Sequence, residues 1–129
     1  MILLDTNILI DYFRGNQSAT QFIDKQPKEN LAICSVVAME LYKGSLNKAE
    51  FEKIKKTLKG FLMFDLNENV SRVALKLSEQ YSLSHKMAVP DTLIAATALV
   101  FDLELRTYNL KDFRFIPTLN VSNSLEQNS

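Results

Sequence analysis

The sequence begins with MILLDTN, residues 1–7, in which four apolar residues are followed directly by Asp5, Thr6 and Asn7. A short run of large aliphatic residues is typical of a strand buried on both faces of a parallel sheet. Asp, Thr and Asn are common N-caps, so the same stretch predicts a strand over residues 2–4 that passes straight into a helix. Asp5 therefore lies at the carboxyl end of the first strand.

The rest of the chain repeats this alternation of strand and helix. Further strands are predicted at 31–34, 61–66, 103–107 and 119–121, and helices at 8–14, 18–25, 35–44, 48–59, 68–81 and from Pro90 to 101. Strands separated by helices form βαβ units, which predict an α/β fold with a central, mostly parallel sheet of four to five strands flanked by helices. We expect one domain over residues 1–121 and a polar tail over 122–129 that frays.

Composition narrows the classes of function. The 129 residues include 15 Lys plus Arg and 15 Asp plus Glu, so the formal net charge is zero. Constitutive coating of nucleic acid usually needs a strongly basic protein, whereas brief catalytic contact with RNA does not. The single cysteine, Cys34, cannot form an internal disulfide. The apolar start is interrupted by Asp5 and Asp11, so it predicts no signal peptide or membrane span, and we expect a cytoplasmic protein.

Three acidic residues stand in unusual places. Asp5 follows the first strand, Glu40 lies in a helix with mostly apolar neighbours, and Asp91 opens the most apolar helix of the chain. Helix capping can account for Asp5, and the helix dipole favours a negative charge at Asp91 whatever its role. All three nevertheless come at a strand end or early in the following helix, and ligands of parallel sheets bind beyond the carboxyl ends of the strands.

Neighbouring carboxylates repel one another unless a cation lies between them. Oxygen ligands favour Mg²⁺ or Mn²⁺ over zinc. The chemistry that such a site supports most naturally is hydrolysis of a phosphodiester by a water that the metal activates. This interpretation makes Asp5, Glu40 and Asp91 metal ligands.

Four stretches resemble the PIN-domain family, and in particular the VapC-type toxins of toxin–antitoxin pairs: LLDTNILID, SVVAMELYKG, VPDTLIAATAL and LRTYNLKDFRFIPTLNV. They occur in the family's order and cover nearly the whole chain. The resemblance implies a PIN-like three-layer sandwich and a Mg²⁺- or Mn²⁺-dependent endoribonuclease that an antitoxin keeps silent. Asp5, Glu40 and Asp91 match the family's acidic metal-site residues. Thr6 and Asn7 match its flanking pair, and Thr107 matches its polar residue after the fourth strand.

The sequence departs from the family at a fourth acidic position. Many relatives carry Asp two residues after the Thr, where this chain has Asn109. An amide can ligate through its carbonyl but brings no charge. Asp112 lies three residues further on and can take its place, so either residue is a candidate for the catalytic site. We expect one tightly held metal ion and a second one recruited with the RNA.

The resemblance also implies partners. These are an RNA substrate, with transfer RNA as one candidate, a cognate antitoxin, a homodimer and a toxin–antitoxin hetero-oligomer. In the family a helical region like 46–58 forms a hydrophobic clip for an amphipathic antitoxin segment, which sends a basic side chain into the acidic site. Five basic residues fall near the expected crevice and are candidates for phosphate contacts: Arg14, Lys43, Lys86, Arg106 and Lys111.

Two other functions stay open at this point. A metal-dependent phosphatase of another α/β family also places Asp after its first strand, although Asn7 occupies the position where a second Asp would favour it. A catalytically silent binding module is favoured by the missing fourth acid. His85 has no Cys or His companion at ligand spacing, so no metal or catalytic role is predicted for it.

Overall fold

The computed structural model describes residues 1–125, in which five strands and six helices alternate. The strands are β1 (Ile2–Leu4), β2 (Leu31–Cys34), β3 (Leu62–Phe64), β4 (Glu104–Arg106) and β5 (Val121–Ser122). The helices are α1 (Thr6–Phe13), α2 (Gln17–Lys25), α3 (Ser35–Lys43), α4 (Lys48–Leu58), α5 (Glu68–Tyr81) and α6 (Val89–Val100). No helix in this part of the chain is both long and apolar enough to cross a bilayer.

The five strands form one sheet in the order β3-β2-β1-β4-β5, and every neighbouring pair is parallel. All residues of β1 and β2 are buried. Strands that are buried throughout need helices on both faces of the sheet, which explains their continuous aliphatic sequences. The predicted α/β fold with a central parallel sheet is confirmed.

The strand order places a switch point beside β1. From β1 the chain builds β2 and β3 on one side, and α5 and α6 then carry it across to β4 on the other side. Leu4 of β1 pairs with Arg106 of β4, and the Asp5 amide donates to the Arg106 carbonyl at 3.0 Å. Asp5 and Thr107 therefore leave the sheet side by side, at the kind of crevice where open α/β sheets bind ligands.

Asparagine side chains cap the N-termini of three helices. Asn16, Asn47 and Asn67 accept hydrogen bonds from backbone amides three residues ahead, at 3.0, 2.8 and 2.9 Å. Each satisfies an amide that the first helical turn leaves without a partner. In α6 the same turn contains Pro90, which lacks an amide hydrogen and is tolerated there.

The C-terminal boundary differs from the prediction. The last strand is Val121–Ser122 rather than 119–121, because the Thr107 amide donates to the Ser122 carbonyl at 3.1 Å and extends the sheet. Leu125 also packs against the core. Residues 122–125 of the predicted tail thus belong to the packed structure, while 126–129 lie outside the described residues.

Arg106 is not available to an RNA phosphate, contrary to expectation. Its guanidinium is buried, donates to Glu104 Oε1 at 2.7 Å and to the Ser124 carbonyl, and lies 5.3 Å from the centroid of the Phe22 ring. Side chains alternate along a strand, so Arg106 points with Glu104 to the face opposite Leu105 and Thr107. Its role is to hold the C-terminal segment and α2 against β4.

Candidate active site

Asp5 lies at the centre of the crevice and is 5% exposed. Its Oδ1 accepts from the Thr6 amide at 2.8 Å, and its Oδ2 accepts from the Thr107 hydroxyl at 2.7 Å. Burial raises the pKa of Asp5 above its usual value, these two hydrogen bonds oppose that shift, and the charges of Glu40 and Asp112 raise the pKa further. The two hydrogen bonds therefore hold the carboxylate in one orientation, while burial and the neighbouring charges disfavour its ionised form.

Glu40 reaches Asp5 from α3. Its Oε1 accepts a hydrogen bond from the Thr6 hydroxyl at 2.7 Å, which ties the second turn of α3 to the start of α1. Thr6 therefore touches both acids, through its amide to Asp5 and through its hydroxyl to Glu40. This contact explains why Thr is suited to the position beyond its value in starting a helix.

Asp91 brings a third carboxylate from the first turn of α6. Partial burial raises its pKa from 3.8 to about 6, and the negative charges of Asp5, Asp112 and Glu40 add to the shift. Within residues 1–125 the Asp91 carboxylate accepts no hydrogen bond and forms no ion pair. Its charge therefore lacks the hydrogen bonds that Asp5 and Glu40 accept from the two threonines.

Asp112, rather than Asn109, is electrostatically coupled to the other acids. The charge of Asp112 raises the pKa of both Asp5 and Asp91. Asn109 instead contributes its backbone amide, which donates to the Thr107 hydroxyl at 3.1 Å. Asn109 thereby orients the hydroxyl that holds Asp5, while Asp112 supplies the fourth negative charge.

We define the acid cluster as Asp5, Glu40, Asp91 and Asp112. A cluster of four carboxylates in which burial and the neighbouring negative charges raise the pKa of Asp5 and Asp91 matches the chemistry of a site for a hard divalent cation. Among the described residues, no three or more Asp, Glu, His or Cys side chains are arranged so that they could hold a metal ion directly. Mg²⁺ is commonly bound through one or two carboxylates with water as the remaining ligands, so the donor set fits such a cation.

Two residues at the rim of the site, Asn7 and Tyr108, differ from what the sequence predicts for them. Asn7 is exposed on α1 and makes no side-chain hydrogen bond to the acid cluster within the described chain. Tyr108, by contrast, was not predicted. Partial burial raises its pKa to about 12, and a hydrogen bond with Asp11 adds to the shift. Tyr108 thus lies close to Asp11 of α1, and its position beside Thr107 is the only hint of this in the sequence.

Replacing Thr107 with Val is expected to destabilise the protein. The hydroxyl is fully buried, donates to Asp5 and accepts from Asn109, and Val keeps the shape but leaves both partners unsatisfied. Loss of a buried hydrogen-bond partner costs about 1–3 kcal/mol in the free energy of unfolding. Urea denaturation at neutral pH measures the change, with Thr107→Ser as the control that retains the hydroxyl. Equal stability of the two variants would contradict the contact.

The fold and the acid cluster together define an α/β domain with an acidic site at the switch point of a parallel sheet. The family model described as PIN domain matches residues 2–116. Ribonuclease VapC19 of Mycobacterium tuberculosis is 30% identical over 122 residues, which are 92% of this chain and 97% of that protein. Ribonuclease VapC10 of the same species is 33% identical over 114 residues, which are 88% of this chain and 86% of that protein.

A solved toxin–antitoxin complex from Klebsiella pneumoniae contains a chain with the same fold. The TM-score is 0.81, the identity is 31%, and the match covers 99% of this chain and 100% of that one. The chain described here belongs to the PIN-domain family. The family predicted from the four sequence stretches is confirmed.

Proposed function

We propose that this protein is a VapC-type endoribonuclease toxin that depends on Mg²⁺ or Mn²⁺. The observation that carries the proposal is the acid cluster at the switch point, in which burial and mutual repulsion raise the pKa of Asp5 and Asp91. The relatives VapC19 and VapC10 bear the name ribonuclease, which supports RNA as the substrate. The proposed products are a 5′-phosphate and a 3′-hydroxyl end.

Each member of the site has a role in this proposal. Asp5, Glu40 and Asp91 would hold the cation, partly through its water ligands, and a bound cation would supply the positive charge that activates water and offsets the charge of the RNA phosphate. The Thr6 hydroxyl orients Glu40, and the Thr107 hydroxyl orients Asp5. Asp112 adds negative charge beside Asp5 and Asp91 and favours binding of a second cation together with RNA. Reaction with water needs no nucleophilic side chain, and the buried Cys34 is not required.

The direct test is cleavage of a structured RNA by protein purified free of any partner. We expect cleavage with Mg²⁺ or Mn²⁺ and none with EDTA, and new 3′ ends that poly(A) polymerase can extend because they carry a hydroxyl. Isothermal titration with Mn²⁺ in the absence of RNA gives a second readout. Cleavage that continues undiminished in EDTA would refute metal dependence, and turnover of small phosphomonoesters in place of RNA would favour the phosphatase alternative.

Asp112 is expected to matter more than Asn109. Its negative charge acts on both Asp5 and Asp91, so Asp112→Asn should weaken Mn²⁺ affinity and RNA cleavage by about tenfold, as for outer-shell partners of other metal sites. Asn109→Ala keeps the backbone amide that contacts Thr107 and serves as the comparison. A larger loss in Asn109→Ala than in Asp112→Asn would reverse this assignment.

We also propose an antitoxin as partner, which the toxin–antitoxin complex from Klebsiella pneumoniae supports. Within the region of the predicted clip, Ile54 and Leu58 are buried in the core, whereas Leu46 is 86% exposed and is free to contact a partner. A cavity of about 250 Å³ lies between α2 and the end of α4 and presents Ile23, Leu31 and Phe61 to a ligand. The rest of this groove is polar, with Asp24, Gln26 and Lys28 among its lining residues, so it suits one side chain of an amphipathic antitoxin helix rather than the whole helix.

Thr57, which lines this cavity, allows a test of the partner. Thr57→Arg should fill the groove and reduce co-purification of an antitoxin encoded by the adjacent gene, while RNA cleavage is unchanged. Lys53→Arg on the exposed side of α4 is the matched control. Equal co-purification by both variants would exclude the groove as the docking site.

A further inference from the structure

Three rings form a cluster just beyond the C-terminal end of α5. The His85 imidazole stacks on the Phe115 ring with a centroid separation of 4.0 Å and an interplanar angle of 11°. Tyr81 meets both rings edge-on, at 4.8 Å from Phe115 and 5.5 Å from His85. Phe115 and Tyr81 are partly buried, whereas His85 is exposed. We call these three residues the aromatic platform.

Contacts within the chain hold the His85 ring of the platform in place without a ligand. The His85 amide donates to the Tyr81 carbonyl at 3.0 Å, and its Nδ1 lies 2.8 Å from the Ser84 hydroxyl. Phe115 covers one face of the imidazole, so the opposite face is the one open to solvent. A flat, oriented and open ring can stack on a planar ligand at little cost in side-chain entropy.

The chain connects the platform to the acid cluster on both sides. Phe115 follows Asp112 by three residues, which span at most about 11 Å. His85 precedes Asp91 by six residues, through the connector that leads into α6. The platform therefore lies within reach of a nucleotide that flanks a phosphate bound at the acid cluster.

Three exposed basic residues lie close in sequence to members of the platform. Lys86 follows His85, Arg114 precedes Phe115, and Lys111 precedes Asp112 in the segment that leads to Phe115. All three are exposed, and none takes part in the two ion pairs formed within residues 1–125. Lys and Arg at such positions contact phosphates without regard to sequence. They offset the repulsion that RNA would meet from the four carboxylates.

We propose that the aromatic platform binds an unpaired base of the RNA by stacking on His85, and that it positions the neighbouring phosphate at the acid cluster. Sequence-specific and structure-specific RNA recognition commonly uses unpaired bases stacked on Phe, Tyr, Trp or His. The substrate is then RNA with a single-stranded segment at the cleavage site rather than a continuous duplex. The inference rests on the ribonuclease proposal for the identity of the ligand.

RNA affinity tests the platform separately from cleavage. The probe is a short fluorescein-labelled single-stranded RNA, and its binding is followed by fluorescence anisotropy in EDTA. His85→Ala should weaken binding by about tenfold, the size of one lost base–aromatic stack, and His85→Phe should restore it. Leu83→Ala is the matched control, because Leu83 lies in the same connector and is 96% exposed. Thermal unfolding confirms that each variant is folded.

Abasic RNAs distinguish stacking from a merely structural role of His85. Single bases are removed at successive positions around the cleaved bond, and kcat/KM is measured for wild type and His85→Ala. At one position the missing base should cost the wild type about tenfold, mainly in KM, and cost His85→Ala nothing further. The proposal is overturned if His85→Ala lowers kcat/KM by the same factor whichever base is removed. It is also overturned if His85→Phe binds RNA as weakly as His85→Ala does.

The remaining outcomes separate this proposal from the ribonuclease proposal. If the wild type cleaves RNA but no base removal depends on His85, the platform is wrong and the ribonuclease proposal stands. If RNA binding depends on His85 but no RNA is cleaved with Mg²⁺ or Mn²⁺, the platform stands and the ribonuclease proposal is wrong. If His85→Ala changes the mass of the assembly in light scattering without changing RNA affinity, the cluster is a protein contact and the platform is overturned.

Discussion

Replacing Asp5 with Asn is expected to reduce RNA cleavage by more than about a hundredfold, beyond the range seen for outer-shell partners of a metal site. The substitution changes almost nothing but charge. Asn is nearly the same size, its carbonyl can still accept from the Thr6 amide, and the Thr107 hydroxyl can turn to accept from the new amide group. The loss therefore reports the missing carboxylate rather than a collapsed site.

The matched control for this variant is Asp65→Asn. Asp65 directly follows β3, as Asp5 follows β1, but it is exposed and is not among the groups that act on the pKa of Asp5 or Asp91. Cleavage by Asp65→Asn should match the wild type. Titration with Mn²⁺ should likewise show loss of affinity in Asp5→Asn alone. Equal activity in the two variants would remove Asp5 from the mechanism, whereas absence of cleavage by the wild type itself would favour the binding-module alternative.

The first strand shows how far the sequence predicts this fold. Apolar residues at 2–4 followed by a capping residue predict a buried strand and a helix, and the structure has both. Parallel pairing also follows from the alternation of strands and helices. The order of the strands does not, because hydrophobic pattern alone gives β4 no preference for pairing with β1. That pairing creates the switch point and brings Asp5 beside Thr107.

The candidate site also has one part that the sequence predicts and another part that depends on how the chain packs. The position of each acid along the chain predicted that Asp5, Glu40 and Asp91 would meet, and their electrostatic coupling agrees with it. The roles of Thr6 and Thr107 depend on side-chain directions that arise only after α3 and β4 have packed against β1. The sequence offers His85 no Cys or His partner at ligand spacing and so predicts no role for it. Its partner, Phe115, lies 30 residues away in sequence and is a ring rather than a ligand.

Replacing Asp91 with Asn is expected to stabilise the metal-free protein at neutral pH. In the folded chain the pKa of Asp91 is raised from 3.8 to about 6, so the native state binds the proton more tightly than the unfolded state. The charged form therefore costs stability, fully above pH 6 and not at all below about pH 4. The shift corresponds to about 3 kcal/mol, and because Asp91 is partly exposed to solvent we expect about 1–2 kcal/mol.

Urea denaturation in EDTA between pH 4 and pH 7.5 measures this effect, with Asp65→Asn as the control of unchanged stability. The advantage of Asp91→Asn should grow as pH rises from 4 to 6 and then stay constant. Addition of Mg²⁺ should stabilise the wild type and not Asp91→Asn, because a ligand of the native state shifts unfolding in proportion to its binding. If the only role of the Asp91 charge is a favourable interaction with the dipole of α6, Asp91→Asn should instead lower the free energy of unfolding by about 0.3–1 kcal/mol at pH 7. The two explanations thus predict opposite signs, and a less stable Asp91→Asn variant in EDTA would contradict the raised pKa of Asp91. Equal stabilisation of the wild type and Asp91→Asn by Mg²⁺ would refute a metal-ligand role for this residue.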